Sequence, residues 1–360
     1  MQQVFDGHND VLYRLWNHAA KGTDPVREFI EGPEAVGYSG RDRGHIDKAR
    51  AKAGGLAGGL CAIYITSGHL DFDKPDARGH YSTPLAEPLQ RQPSLDIALD
   101  MAAIALRIER AGGWKLCRNA ADIEAAMKDS VFAAVLHMEG CEAIDADLSA
   151  LEVFYAAGLR SLGPVWSRNN IFAHGVPFAY PSSPDTGPGL TDAGKRLVAE
   201  CNRLGIMVDL AHITEKGFWD VADISDQPLV VSHSNVHAIT PVARNLTDRQ
   251  LDAVRESKGL VGLNFAVGMV RPDGREDANT PISNMIRHID HMVERMGIDS
   301  VAIGSDFDGC TIPAGIGDAG GLQTLVDALE RAGYGGEDLA RICRDNWLRV
   351  LGSAWRQQPT

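Results

Sequence analysis

The chain has 360 residues, 44% hydrophobic and 23% charged, which fits one large α/β barrel or two ordinary domains. Its formal net charge of −13 argues against nucleic acid as a partner, because phosphate recognition needs a basic footprint. No apolar run reaches the roughly 18 residues of a membrane span, and the start MQQVFDGHND has no basic segment leading into an apolar one. The expectation is an unprocessed cytoplasmic protein without a membrane partner.

In chain order, short apolar strands alternate with amphipathic helices. Eight strands are predicted, at 3–7, 58–65, 131–137, 159–165, 206–211, 229–233, 260–265 and 300–305. Most are continuous apolar runs, the pattern of a parallel sheet buried on both faces. Between the fourth and fifth strands, TDAGKRLVAECNRLG offers Thr191 as N-cap, one apolar face in Ala193, Leu197, Cys201 and Leu204, and Gly205 as a stop. Between the sixth and seventh, TDRQLDAVRESKG has a possible capping box in Thr247 and Gln250 and a stop at Gly259. Eight strands with helical crossovers in one chain of this length predict a single domain over 1–360, a (β/α)8 TIM barrel with long βα loops and C-terminal helices. A doubly wound open sheet is the alternative, but GGLAGG at 54–59 leads into a strand, whereas a phosphate fingerprint opens a helix. Two insertions, 66–94 and 167–190, follow predicted strands. A lid over the site is the functional reading of such loops, and surface decoration the plain one. The six cysteines are scattered with no C-x-x-C pair and read as buried thiols.

Polar residues gather at the C-terminal ends of five strands: His8 and Asp10, His137 and Glu139, His212, His233, then Asp306 and Asp308. In a barrel those ends converge on one face. Imidazole and carboxylate suit zinc and similar ions, and residues two apart on a strand point the same way, so His8 and Asp10 can aim together. Five candidate ligands suffice for two metals if one carboxylate bridges them, and such a pair shares a hydroxide and polarises a carbonyl. Any one of these histidines taken singly is more often structural than a ligand. His137 sits in an apolar run and reads as core. Asp6 and Asp209 read as hydrogen-bonding residues, with Asp209 and Ser232 as candidates for orienting the ligands. His45, His69, His80 and His174 fall in loops, and His288 and His291 on a helix, as surface or packing residues. Arg244, just past the sixth strand, is placed to clamp a carboxylate or to form a surface ion pair. Asp306 is placed as a general base or a further ligand.

Together DGHNDV, HMEG, VDLAH, VVSHSN, TPVARNLTD and AIGSDFDG resemble the renal (membrane) dipeptidase family, peptidase family M19 of the amidohydrolase superfamily, in order over nearly the whole chain. The resemblance implies a binuclear zinc dipeptidase. His8 and Asp10 would hold the first zinc, Glu139 would bridge, and His212 and His233 would hold the second. Asp306 would shuttle the proton to and from a metal-bridging hydroxide, and Arg244 would bind the C-terminal carboxylate of an L,L or L,D dipeptide. Other divalent metals fit the same ligands. Where family members carry a histidine after the fourth strand, this chain has GPVWSRNN, with Trp166 at that place. Trp166 then either donates one hydrogen bond or walls the pocket, and Asn169, Asn170 or His174 are candidates for the missing polar contact. Family members from mammals are secreted and lipid-anchored; this chain looks like a bacterial-type cytosolic relative, and a homodimer is the default expectation. The alternatives are a hydrolase of another amide, a lactone or a β-lactam, and a non-catalytic binding protein on the same barrel.

Overall fold

The computed structural model describes residues 1–68 and 74–355. All eight predicted strands form, as β1 (Val4–Asn9), β2 (Leu56–Tyr64), β3 (Ala133–Glu139), β4 (Leu159–Gly163), β5 (Met207–Val208), β6 (Val230–Ser234), β7 (Leu260–Leu263) and β8 (Val301–Ile303). They pair in parallel as two arcs, β1 to β5 and β6 to β8. Two single bridges, Asp209 to Val230 and Asn9 to Phe307, close the arcs into a ring. At the second seam, Asp306 N–H donates to His8 O at 3.0 Å and Asp10 N–H to Phe307 O at 2.8 Å. The chain is a TIM-type barrel rather than an open sheet.

The helix caps follow the local chemistry. Thr191 accepts from Gly194 N–H at 3.1 Å, and Gly205 ends the helix in a left-handed conformation (φ +70°). Thr247 and Gln250 form the capping box, but that helix ends at Glu256, and Lys258 takes the left-handed position (φ +59°) ahead of Gly259.

Phe5, Leu60, Val135, Met207, Val230 and Leu260 form one cluster with Trp347, Val350 and Leu351 of the C-terminal helix Asn346–Ala354, which plugs one end of the barrel. Trp347 is fully buried, and its indole donates to Ile303 O at 2.9 Å. Its ring lies where a Cβ on Gly7 would sit, 2.3 Å away, so β1 passes the plug only as glycine. The plug leaves the polar strand ends to the opposite face. There the two insertions meet: Tyr81–Thr83 pairs antiparallel with Phe178–Tyr180 as a two-stranded ribbon. Among the described residues no helix is long and apolar enough to cross a membrane.

Trp347→Ala removes both the plug and a buried hydrogen bond. The expected cost is about 3–5 kcal/mol, read as a lower urea midpoint at unchanged slope.

Candidate active site

The strand ends surround a cavity of about 820 Å³ lined by Asp10, Glu139, Trp166, His212, Arg244 and Asp306, with Tyr13, Tyr64, Tyr81 and Phe178 along its walls. Three of the five predicted ligands, Asp10, Glu139 and His212, line it, and His8 and His233 are buried behind them against Glu139. Glu139 lies at the centre, with its two oxygens facing different partners. Oε2 is 3.6 Å from His8 Nε2, which is 3.4 Å from Asp10 Oδ2. Oε1 is 3.0 Å from His212 Nε2 and 3.4 Å from His233 Nε2, and those two nitrogens are 3.2 Å apart. Donors sharing a tetrahedral ion with bonds of about 2.0–2.1 Å sit roughly 3.3–3.4 Å apart. Both triads therefore have the spacing of one coordination edge. Both ring nitrogens of His8 and Oδ1 of Asp10 are buried without a hydrogen-bond partner, as ligand atoms are.

The electrostatics agree with that donor set. Burial, then Arg244 and His8, holds His212 well below its ordinary value; burial and His8 do the same to His233. Both shifts favour the neutral imidazole, the form that metal ligation requires. Burial pushes Glu139 far up, against the pull of His8. Burial opposes a charge on His8 as well, but Glu139 and Asp10 outweigh it and raise His8 to about 10. The carboxylates thus demand a cation between them, and the residues fit a divalent metal.

Asp306 lies within 4.8 Å of both His8 and Asp10, and Asn264 Nδ2 donates to its Oδ2 at 2.9 Å. His212, Asp306 and Asp308 all have left-handed backbone (φ +66°, +59° and +69°), a strain of about 1 kcal/mol or more each that clusters at functional sites. Arg244 is buried; Nη2 donates to His233 O at 3.2 Å, while Nε has no partner. Trp166 packs against Tyr64, His212 and Phe178, at ring separations of 5.2, 5.6 and 5.6 Å.

The candidates for the missing polar contact need correcting, whereas His137 and His288 are the core and packing residues expected. Asn170 does not line the cavity. Its amide donates to Pro164 O at 2.9 Å and its oxygen accepts from Phe172 and Ala173 N–H, so it closes its own turn. Asn169 accepts from Gly175 N–H, and His174 Nδ1 pairs with Gly189 O; neither lines the cavity. His69 lies outside the described residues. His288 is fully buried, accepting from Val236 N–H through Nδ1, with Nε2 3.0 Å from Val270 O. His137 is buried beside Ser161 and edge-on to His8.

Sequence reasoning passed over Ser167, whose Oγ lies 2.8 Å from His212 Nδ1, and Asn264. Asn264 stands just past β7 and carries the same strand-end signal as the ligands. With Tyr64 on β2 and Trp166 after β4, all eight strands contribute.

A family model of the membrane dipeptidases, peptidase family M19, matches residues 1–358. The chain belongs to this family and is a metallo-dipeptidase by class. A dipeptidase crystal structure described as a family M19 metallo peptidase is 48% identical, with TM-score 0.90, over 98% of this chain and 99% of its own. A metallo peptidase from Rhodobacter sphaeroides, liganded with a phosphinate mimic of the dipeptide L-Ala-D-Ala, is 47% identical, with TM-score 0.89 and the same coverage. Dipeptidase tcpJ of Claviceps purpurea is 27% identical over 96% of this chain and 76% of its own length.

A Cβ on Gly309 would stand 2.2 Å from Asp10 Oδ2 and 2.3 Å from Asp306 Oδ1. Gly309→Ala is expected to displace both carboxylates and lower kcat/KM at least about tenfold, a loss of about 1.4 kcal/mol in transition-state stabilisation. An unchanged circular-dichroism spectrum would show that the fold is retained.

Proposed function

We propose that the enzyme hydrolyses the peptide bond of L,L and L,D dipeptides at a two-zinc centre bridged by Glu139. The observation that carries this is the division of the Glu139 oxygens between two ligand triads, His8 with Asp10 and His212 with His233. When bound, the ions supply Lewis-acid polarisation of the scissile carbonyl and lower the pKa of water at the site. The phosphinate mimic of L-Ala-D-Ala in the Rhodobacter sphaeroides relative supports including L,D dipeptides among the substrates.

The chain's own side chains do the rest. Arg244 has an unpartnered Nε beside the cavity and binds the C-terminal carboxylate of the dipeptide, which fixes the scissile bond over Glu139. Asn264 occupies Oδ2 of Asp306, so Oδ1 takes the proton released from water and returns it to the leaving amine nitrogen. Burial raises Asp306 to about 6, with His8 opposing and Asp10 assisting. That value suits a group that must both accept and donate a proton near neutrality. Trp166 has no titratable group and walls the carbonyl side of the pocket. The ribbon of the two insertions contributes Tyr81, Thr83, Phe178 and Ala179 to the wall of the cavity.

Two zinc ions per chain are expected by elemental analysis. Arg244→Met should raise KM for free dipeptides while leaving the slow cleavage of C-terminally amidated ones unchanged; equal rates on both in the wild type would overturn the dipeptidase reading. Asp306→Asn should lower kcat by about 10²–10⁴ with metal content retained.

A further inference from the structure

The two imidazoles that face Glu139 Oε1 are held by different devices. His233 Nδ1 lies 2.7 Å from Ser232 Oγ, and Ser232 Oγ lies 2.5 Å from Asp209 Oδ2. The other oxygen of Asp209 accepts from Ser232 N–H at 2.8 Å and from Ala211 N–H at 3.1 Å. All three residues are at most 1% exposed. A carboxylate can only accept, and a serine has one proton to give. The Ser232 hydroxyl therefore donates to Asp209, and its oxygen must accept N–H from His233 Nδ1. That leaves the lone pair of His233 on Nε2, the atom 3.4 Å from Glu139 Oε1. His212 Nδ1 also meets a serine, Ser167 at 2.8 Å, but no carboxylate is hydrogen-bonded to that hydroxyl among the described residues.

We propose that Asp209 and Ser232 form a carboxylate–hydroxyl relay that fixes the tautomer and ring orientation of His233, making both positioning residues for the metal. This rests on the reading of His212 and His233 as ligands of one ion. A carboxylate behind a ligand histidine raises its basicity, and partners of this kind change metal affinity by about 10–100-fold. The relay is also built into the seam of the barrel. Asp209 forms the β5–β6 bridge, so ring closure and His233 orientation depend on the same residue.

The test is zinc affinity by competition with a colorimetric chelator, on metal-stripped wild type, Ser232→Ala, Asp209→Asn and Ser167→Ala. The melting temperature of each metal-free protein is measured alongside. The expected result is a 10–100-fold loss of affinity in Ser232→Ala and Asp209→Asn, a smaller loss in Ser167→Ala, and a metal-free Ser232→Ala that melts close to wild type. A merely structural role would lower the melting temperature and leave affinity unchanged. Should Asp209→Asn fail to fold, Ser232→Ala decides, because it leaves the backbone bonds of Asp209 in place. Wild-type affinity in Ser232→Ala, or an equal loss in Ser167→Ala, would overturn the relay while leaving the metal site standing. A wild type that binds no zinc would instead remove the reading on which the relay rests.

Discussion

Everything at the mouth of this barrel answers to one constraint: Asp10, Glu139 and Asp306 are carried to one cavity wall, with His212 beside them and His8 and His233 buried directly behind. Two unit negative charges within 4.8 Å, as Asp10 and Asp306 are, repel by about 3–4 kcal/mol at an effective dielectric near 20. Burial adds a desolvation cost to each. His8 offsets part of this by holding a proton, which is why its affinity for one is raised so far, and the buried Arg244 guanidinium offsets more at Glu139 and Asp306. A divalent ion does it better. It turns the same crowding into attraction and leaves His212 and His233 in the neutral state that burial already favours.

The surrounding structure keeps these groups from relaxing apart. Asp6 accepts from Ser305 N–H at 2.6 Å, Ser305 Oγ at 2.8 Å and Asn9 Nδ2 at 3.1 Å, fastening the end of β1 to the start of the loop that carries Asp306. Further along, Arg14 lies 3.2 Å from Asp308 Oδ2, and Asp308 N–H donates to His45 Nδ1 at 2.8 Å. The left-handed backbone at Asp306 and Asp308 is thus held from both sides. The dense run of polar residues in FDGHNDVL has one physical explanation: Gly7 clears the plug, Asp6 and Asn9 tie the seam, Asp10 faces the cavity and His8 is buried between Asp10 and Glu139.

How much of this was legible in the sequence follows from how local each signal is. The eight strands are visible as apolar runs, and the residues that cluster around Glu139 as polar residues at strand ends, because both depend on a few neighbouring positions. Strand limits drift where curvature cuts the ladder short, as at β5, where pairing reduces to Met207–Val208 and a bridge at Asp209. Asn170 was misread because an asparagine in a loop satisfies its own turn as readily as it faces a ligand, and only the fold shows which. Ser167 and Asn264 were passed over because their roles exist only through His212 and Asp306, which are distant in sequence.

Trp166, at the place where the resemblance leads one to expect a histidine, is held by a buried cation. The guanidinium of Arg168 lies 5.4 Å from the centre of its ring. Arg168 is fully buried, 3.0 Å from Glu142 Oε1, and donates to Ile65 O at 3.0 Å and to the hydroxyl of Ser67. The cation beneath Trp166 therefore joins the ends of β2 and β3 to the loop after β4, at the roots of both insertions. A buried ion pair adds little net stability, because desolvation offsets its Coulomb attraction, but it allows only one geometry for its partners. The tryptophan is braced from below, and it presents to the cavity an aromatic wall with no titratable group. In the proposed reaction, all proton handling then falls to Asp306, on the far side of the ligand cluster from this rigid aromatic wall.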